Sequence, residues 1–176
     1  MLLDNFRLLA NYNRWMNERL YALAAQLPVD RVHEDKGAFF GSIFGTFSHL
    51  LVADILWLKR IALHPRQFQS LDPVRALGQP RALDELLHTD LAGLQADRAV
   101  VDAAIVALMA ELDEASLDLE LDYSDVAGNS YRHALSLILQ HLFNHQTHHR
   151  GQTTTLFQQA GTDVGVTDLM HLIRNP

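Results

Sequence analysis

The chain has 176 residues and a mass of 19.8 kDa, with 48% hydrophobic and 20% charged residues and a formal charge of −7. That composition suits a single globular domain spanning 1–176 and excludes a disordered or low-complexity protein. It contains no cysteine, which removes disulfides, Cys-ligated zinc or iron–sulfur sites and a cysteine nucleophile, and leaves any thiol chemistry to a thiol brought in from outside.

Residues 2–27 place Leu2, Phe6, Leu9, Met16, Leu20, Leu23 and Leu27 at alternating spacings of four and three, the stripe of an amphipathic helix. Asn13 stands within that stripe, either to hydrogen-bond across a helix interface or to line a polar cavity. Pro28 ends the helix, and 28–40 reads as a linker. This first stretch has no basic segment followed by an apolar core, and no apolar run approaches the ~18–20 residues of a membrane span. The expectation is a cytoplasmic protein that does not enter the membrane.

Residues 41–64 form a second helix, apolar around much of its circumference and stopped at His64-Pro65. After a loop over 65–79, Pro80 opens a third helix expected over 81–114. Its stripe is Leu87, Leu91, Leu94, Val101, Ile105, Leu108 and Leu112, with Arg98 as the exception and Gly93 as a weak point. Leu117, Leu119, Leu121 and Tyr123 then alternate with acids, a period of two that predicts a half-exposed strand. Turn residues at 124–128 predict a hairpin closing near 129–132. Six acids and no base fall in 113–125, leaving 15 acids against 14 bases elsewhere. The net charge is therefore local, and nothing predicts a nucleic-acid partner. Ser130 can cap a fourth helix over about 131–160, ended by Gly161, and 167–174 adds a short segment with Thr167 as its cap. The fold class is all-α: a four-helix bundle with a small β-hairpin between helices three and four.

The fourth helix carries the sequence NHQTHHRGQ over 144–152. His145 and His149 are one turn apart on one face, a spacing that lets two imidazoles reach one metal ion. With ten histidines in the chain, chance alone supplies on the order of half such a pair, so spacing by itself is weak. The pair, however, continues the apolar stripe Leu135, Ile138, Leu142 and Leu156, and inward imidazoles need partners. A shared ion provides them; so would hydrogen bonds in the core, or water at the bundle's end. His49, on a second-helix face shared with Ser42, Thr46, Ala53 and Leu56, completes a three-histidine set looking out from a wall of small residues with room beside it. Three neutral imidazoles suit zinc, nickel, iron, copper or cobalt and leave one or more positions open for water or substrate. His148 is offset by one residue and points elsewhere, while His141 lies one turn before His145 and can line the pocket. His33, His64, His88, His133 and His171 read as surface residues.

These residues are familiar together. The 144–152 segment resembles the NHxxxHRGQ signature of the DinB-like (DinB/YfiT) family of metal-binding four-helix bundles. The second-helix run Gly41-Ser42-Ile43, His49, Asp54, Trp57 and Arg60 is similar to that family's second motif, and so are Tyr12-Asn13-Arg14-Trp15 and the 123–128 stretch. The resemblance implies an up-down-down-up bundle, a divalent transition metal held by His49, His145 and His149, and a homodimer. It also implies a low-molecular-weight thiol, which some relatives activate for transfer to, or isomerisation of, a small-molecule substrate. The alternatives are a metal-dependent hydrolase that activates water, and a non-catalytic bundle that binds metal for stability or stress-related sequestration. Asp54, His141 and Gln152 are the expected neighbours of the ligands.

Overall fold

A computed structural model describes residues 2–125 and 127–175. The elements in chain order are α1 (Leu2–Ala24), α2 (Val29–His33), α3 (Ile43–Ala62), a 3-10 turn (Gln69–Leu71), α4 (Asp72–Ala76), α5 (Leu91–Glu111), a second 3-10 turn (Glu114–Asp118), β1 (Glu120–Ser124), β2 (Ser130–Ala134), α6 (Leu135–Gln159) and α7 (Leu169–Arg174). The four long helices are the four predicted ones, and the two strands pair antiparallel from Glu120↔Ala134 to Ser124↔Ser130. Helix α1 packs on α5 and α6, and α3 packs on α5 and α6. Among the described residues no helix is long and apolar enough to cross a membrane.

The seams explain the arrangement. On α1 the buried line is Leu3, Phe6, Ala10, Asn13, Met16, Leu20 and Ala24, which is the predicted stripe turned slightly, so that Leu2 faces outward at 44% exposure. On α5, Leu94, Arg98, Val101, Ile105 and Leu108 are buried as expected. Helix α6 presents two adjacent seams. One is the predicted line through Ile138, Leu142, His149 and Leu156; the other runs Leu139, Phe143, Gln146, Arg150, Thr153 and Phe157. Gly161, with φ of +79°, ends the path of α6 as expected.

The structure differs from the sequence reading in several places: the 28–40 linker contains α2, the 65–79 loop contains the first 3-10 turn and α4, and four further boundaries shift. The third long helix starts at Leu91 rather than 81, because Asp90 caps it by accepting from the Gly93 N–H at 2.9 Å. Leu83 and Leu86 are exposed, so the stretch before Asp90 has no apolar face to bury as helix. Gly93 is therefore an N-terminal residue, where a Cβ would meet the His88 ring at 2.5 Å, not a mid-helix weak point. Ser130 belongs to β2 instead of capping α6. The hairpin starts that helix, with the Leu135 N–H donating to the Leu119 carbonyl at 2.7 Å. Leu117 lies in the 3-10 turn closed by the Asp113–Ser116 capping box, so the alternating run is only partly strand. Thr167 does not cap the tail; Asp168 precedes α7, without a side-chain cap.

Candidate metal centre

The site begins with the backbone before α3. Ser42 caps that helix, its Oγ accepting from the Gly45 N–H at 3.0 Å. A Cβ on Gly45 would lie 2.0 Å from the Phe40 carbonyl oxygen, so only glycine lets the chain fold back this closely. That approach holds the Phe40 ring against His49, with centroids 3.8 Å apart and planes 15° from parallel. The room expected beside His49 is thus taken by Phe40, which also meets His149 edge-on. The wall of small residues is present: Ser42, Thr46 and Ala53 are all buried on the His49 face.

His49, His145 and His149 each offer one ring nitrogen, and the three nitrogens lie within 4.8 Å of one another. His49 Nε2 is 3.1 Å from His145 Nε2. Two nitrogens on one tetrahedral ion, with bonds of about 2.0–2.1 Å, stand roughly 3.3 Å apart, so the donor set fits a single ion with little movement. The outer nitrogens of two rings are already fixed. His49 Nδ1 is 2.9 Å from the Leu83 carbonyl, which can only accept. His149 Nδ1 is 2.7 Å from Gln152 Oε1. Both bonds place the proton on Nδ1 and leave Nε2 as the lone-pair nitrogen, which in His49 faces His145; such bonds are the second layer of contacts that orients metal-binding histidines.

The electrostatics favour neutral rings. Burial, reinforced by the neighbouring histidines, pushes His145 down to about 3. Burial also lowers His49, against the raising effect of the Leu83 carbonyl, and lowers His149, against that of Gln152. All three are therefore unprotonated at neutral pH, the form that binds a metal. His49 and His149 are buried and His145 is half-buried, so the group is reachable from one side. Among the described residues no fourth histidine or carboxylate joins it.

The expected neighbours divide. Gln152 touches a ring of the set, as anticipated. The His141 ring stands 5.8 Å from that of His145. Asp54 does not approach the histidines: it is fully buried, pairs with Arg98 at 2.6 Å and accepts from Gln146. Arg98 also faces Asp102 at 2.9 Å, and Asp102 accepts from Asn17 at 3.0 Å. Nearby, buried Arg150 donates to Asn13 and lies 4.8 Å over the Tyr12 ring, so Asn13 makes an inter-helical hydrogen bond, the first of its two readings. His88 is not a bare surface residue either, being 2.7 Å from Asp97. Sequence reasoning missed Phe40, Leu83, Asn17, Asp102 and Arg150. Only the polar interruptions at Asn13 and Arg98 signalled that a buried polar network existed.

Fold and site together define a class, a largely helical protein with a three-histidine group that could hold one metal ion. The sequence gives its family: the DinB family model matches residues 1–175, and the chain belongs to the DinB family. It is 25% identical over 160 residues to Protein DinB of Bacillus subtilis (strain 168), an alignment that covers 91% of this chain and 88% of that protein. No solved structure matches it significantly.

Proposed function

We propose that His49, His145 and His149 hold a divalent transition ion, zinc, nickel or iron, and that the protein is a metal-dependent enzyme of the thiol-transferase type acting on a small molecule. One observation carries this reading: three neutral imidazoles converge, two of them locked by bonds to their outer nitrogens, with no fourth histidine or carboxylate closing the set among the described residues. A structural zinc site is closed by four protein ligands, whereas three leave a position for a reactant. When bound, such an ion stabilises the thiolate form of a coordinating thiol at neutral pH.

The chain's own residues supply the setting. The Leu83 carbonyl and Gln152 hold two imidazoles in the accepting tautomer, and Phe40 covers one face of the set and keeps water off it. Phe39, 87% exposed, packs edge-on against Phe40 and offers apolar surface suited to an electrophile with a hydrophobic body. The thiol must be external, since the chain has no cysteine. The same reading takes the chain as one domain, an up-down-down-up bundle working as a cytoplasmic homodimer without a nucleic-acid partner. The family membership supports it. The test is thiol consumption with monochlorobimane as electrophile, using zinc-loaded protein and a panel of low-molecular-weight thiols. A rate that disappears in folded His145→Ala protein is expected; equal rates in both proteins would overturn the enzymatic reading.

A further inference from the structure

Along α3, His49, Ala53, Leu56 and Arg60 share one face, so Arg60 lies on the line of the metal centre, eleven residues on and about 16 Å along the axis. Arg60 forms one wall of a cleft of about 570 Å³ between α3, the 79–81 segment and the hairpin residues 122–125. Its guanidinium lies 4.6 Å over the Trp57 ring and 5.3 Å from that of Tyr123. Two aromatic faces thus hold the group flat while leaving its N–H edge free.

Every other charged group on the cleft wall is engaged. Lys59 Nζ donates to the Leu77 carbonyl at 2.8 Å. Arg81 pairs with Glu85 at 3.1 Å. Asp122 receives Arg132 through two bonds, at 2.6 and 2.9 Å. Asp125 is saturated by the turn, accepting from the Ala127 and Asn129 N–H groups at 2.9 Å and from the Tyr131 hydroxyl at 3.2 Å. Arg60 makes neither a hydrogen bond nor a close ion pair among the described residues, although the charge of Asp125 across the cleft acts on it. The guanidinium is half-buried, oriented by stacking, and offers its donors to the cleft. On the other side of Tyr123 lies a hollow of about 330 Å³ lined by Trp57, Leu137 and His141. The His141 ring reaches within 5.8 Å of the His145 ring, so aromatic surface runs from the cleft towards the centre.

We propose that this cleft is an anion subsite with Arg60 as its anchor, taking a carboxylate or phosphate carried on a flat or aromatic body. That the far end of such a ligand meets the metal rests on the function proposed above; the subsite itself does not. A planar guanidinium binds either anion through two parallel N–H donors, and Tyr123, on the cleft wall, supplies aromatic surface for the body that carries it.

The Trp57 indole N–H signal in a nitrogen–proton NMR spectrum, assigned with Trp15→Phe, reports on the cleft. Benzoate, phenylphosphonate and neutral benzamide are titrated into zinc-treated wild-type, Arg60→Gln and His145→Ala proteins. Expected are saturable shifts with benzoate or phenylphosphonate, the stronger of the two naming the anion. Binding should weaken at least tenfold for benzamide and for either anion in Arg60→Gln, and should persist in His145→Ala. Equal binding of benzoate and benzamide, unchanged affinity in Arg60→Gln, or no saturable shift with either anion would overturn the subsite. The wild-type comparison of benzoate with benzamide decides the matter even if Arg60→Gln does not fold. Persistence in His145→Ala separates the subsite from the metal centre; loss of the shift in that protein, still folded, would overturn it as a separate site.

Discussion

Two polar regions sit inside this apolar core, and they are organised on opposite terms. Around Arg98, opposite charges meet within the protein: the guanidinium lies between Asp54 and Asp102, which are further bonded by Gln146 and Asn17. Around His49, the outward-facing nitrogens of two rings are satisfied by protein, while one nitrogen of each of the three rings lies within 4.8 Å of the others, with no carboxylate joining them among the described residues. The first region crosses between helices; the second is a group that could hold a metal ion.

Removing Arg98 should break the first region most severely. Arg98→Met leaves Asp54 and Asp102 buried without their counter-ion, a loss on the order of 3–5 kcal/mol. Thermal unfolding of the metal-free protein should then fall by roughly 10 °C for a chain of this size. Zinc stoichiometry in the surviving folded protein should be unchanged, because none of the three histidines touches Arg98. Loss of zinc binding with an unaltered melting temperature would reverse the roles assigned to the two regions.

Gly45→Ala attacks the histidine region through the backbone. Its Cβ must displace the Phe40 carbonyl, at a cost of about 2–3 kcal/mol on the scale of overpacking. Calorimetry should show that loss, and the tightness of zinc binding should fall with it as Phe40 leaves His49. Gln152→Ala is subtler. It frees the outer nitrogen of His149, and removal of such an orienting partner costs about 10- to 100-fold in metal affinity. Competition with a chromophoric chelator would measure this, with the fold intact.

The smallest effect concerns acid. His145 titrates near 3 in the folded protein, below its unfolded value of about 6.5. Its contribution is therefore complete above pH 6.5 and is lost as pH falls towards 3, because the unfolded chain takes up the proton first. Asp54, pushed up to about 6 mainly by burial, acts oppositely: below pH 6 the folded state gains a proton that the unfolded chain, down to about 4, does not. Between pH 7 and 4, metal-free wild type should lose about 1 kcal/mol relative to His145→Ala, after allowance for solvent screening of a half-buried ring. Parallel stability curves from denaturant titrations would contradict that assignment.

Periodicity made the long helices readable because their stripes are nearly continuous, and the alternation 119–123 marked the hairpin. The start of α5 was misplaced because Pro80 reads as a helix opener and Leu87 fits the stripe, whereas Leu83 and Leu86 between them face outward; the deciding signal was the cap at Asp90. His145 and His149 were legible from one-turn spacing on an apolar stripe, and His49 from its face of small residues. Phe40 and the Leu83 carbonyl were not, since a ring carried in from a loop and a main-chain oxygen leave no periodic trace. The Arg98 network appeared only as isolated polar interruptions, and Asp54, placed beside the metal by sequence, belongs to that network because its position on α3 faces α5 rather than the His49 side.

Metal content measured by mass spectrometry on tag-free protein, beside His49→Ala and His145→Ala, tests the central claim most directly. About one equivalent of a transition metal in wild type, lost in both folded variants, is the predicted result. Wild-type protein that stays free of metal after reconstitution with zinc, nickel and iron would contradict it, and the three histidines would then be a polar feature of the core.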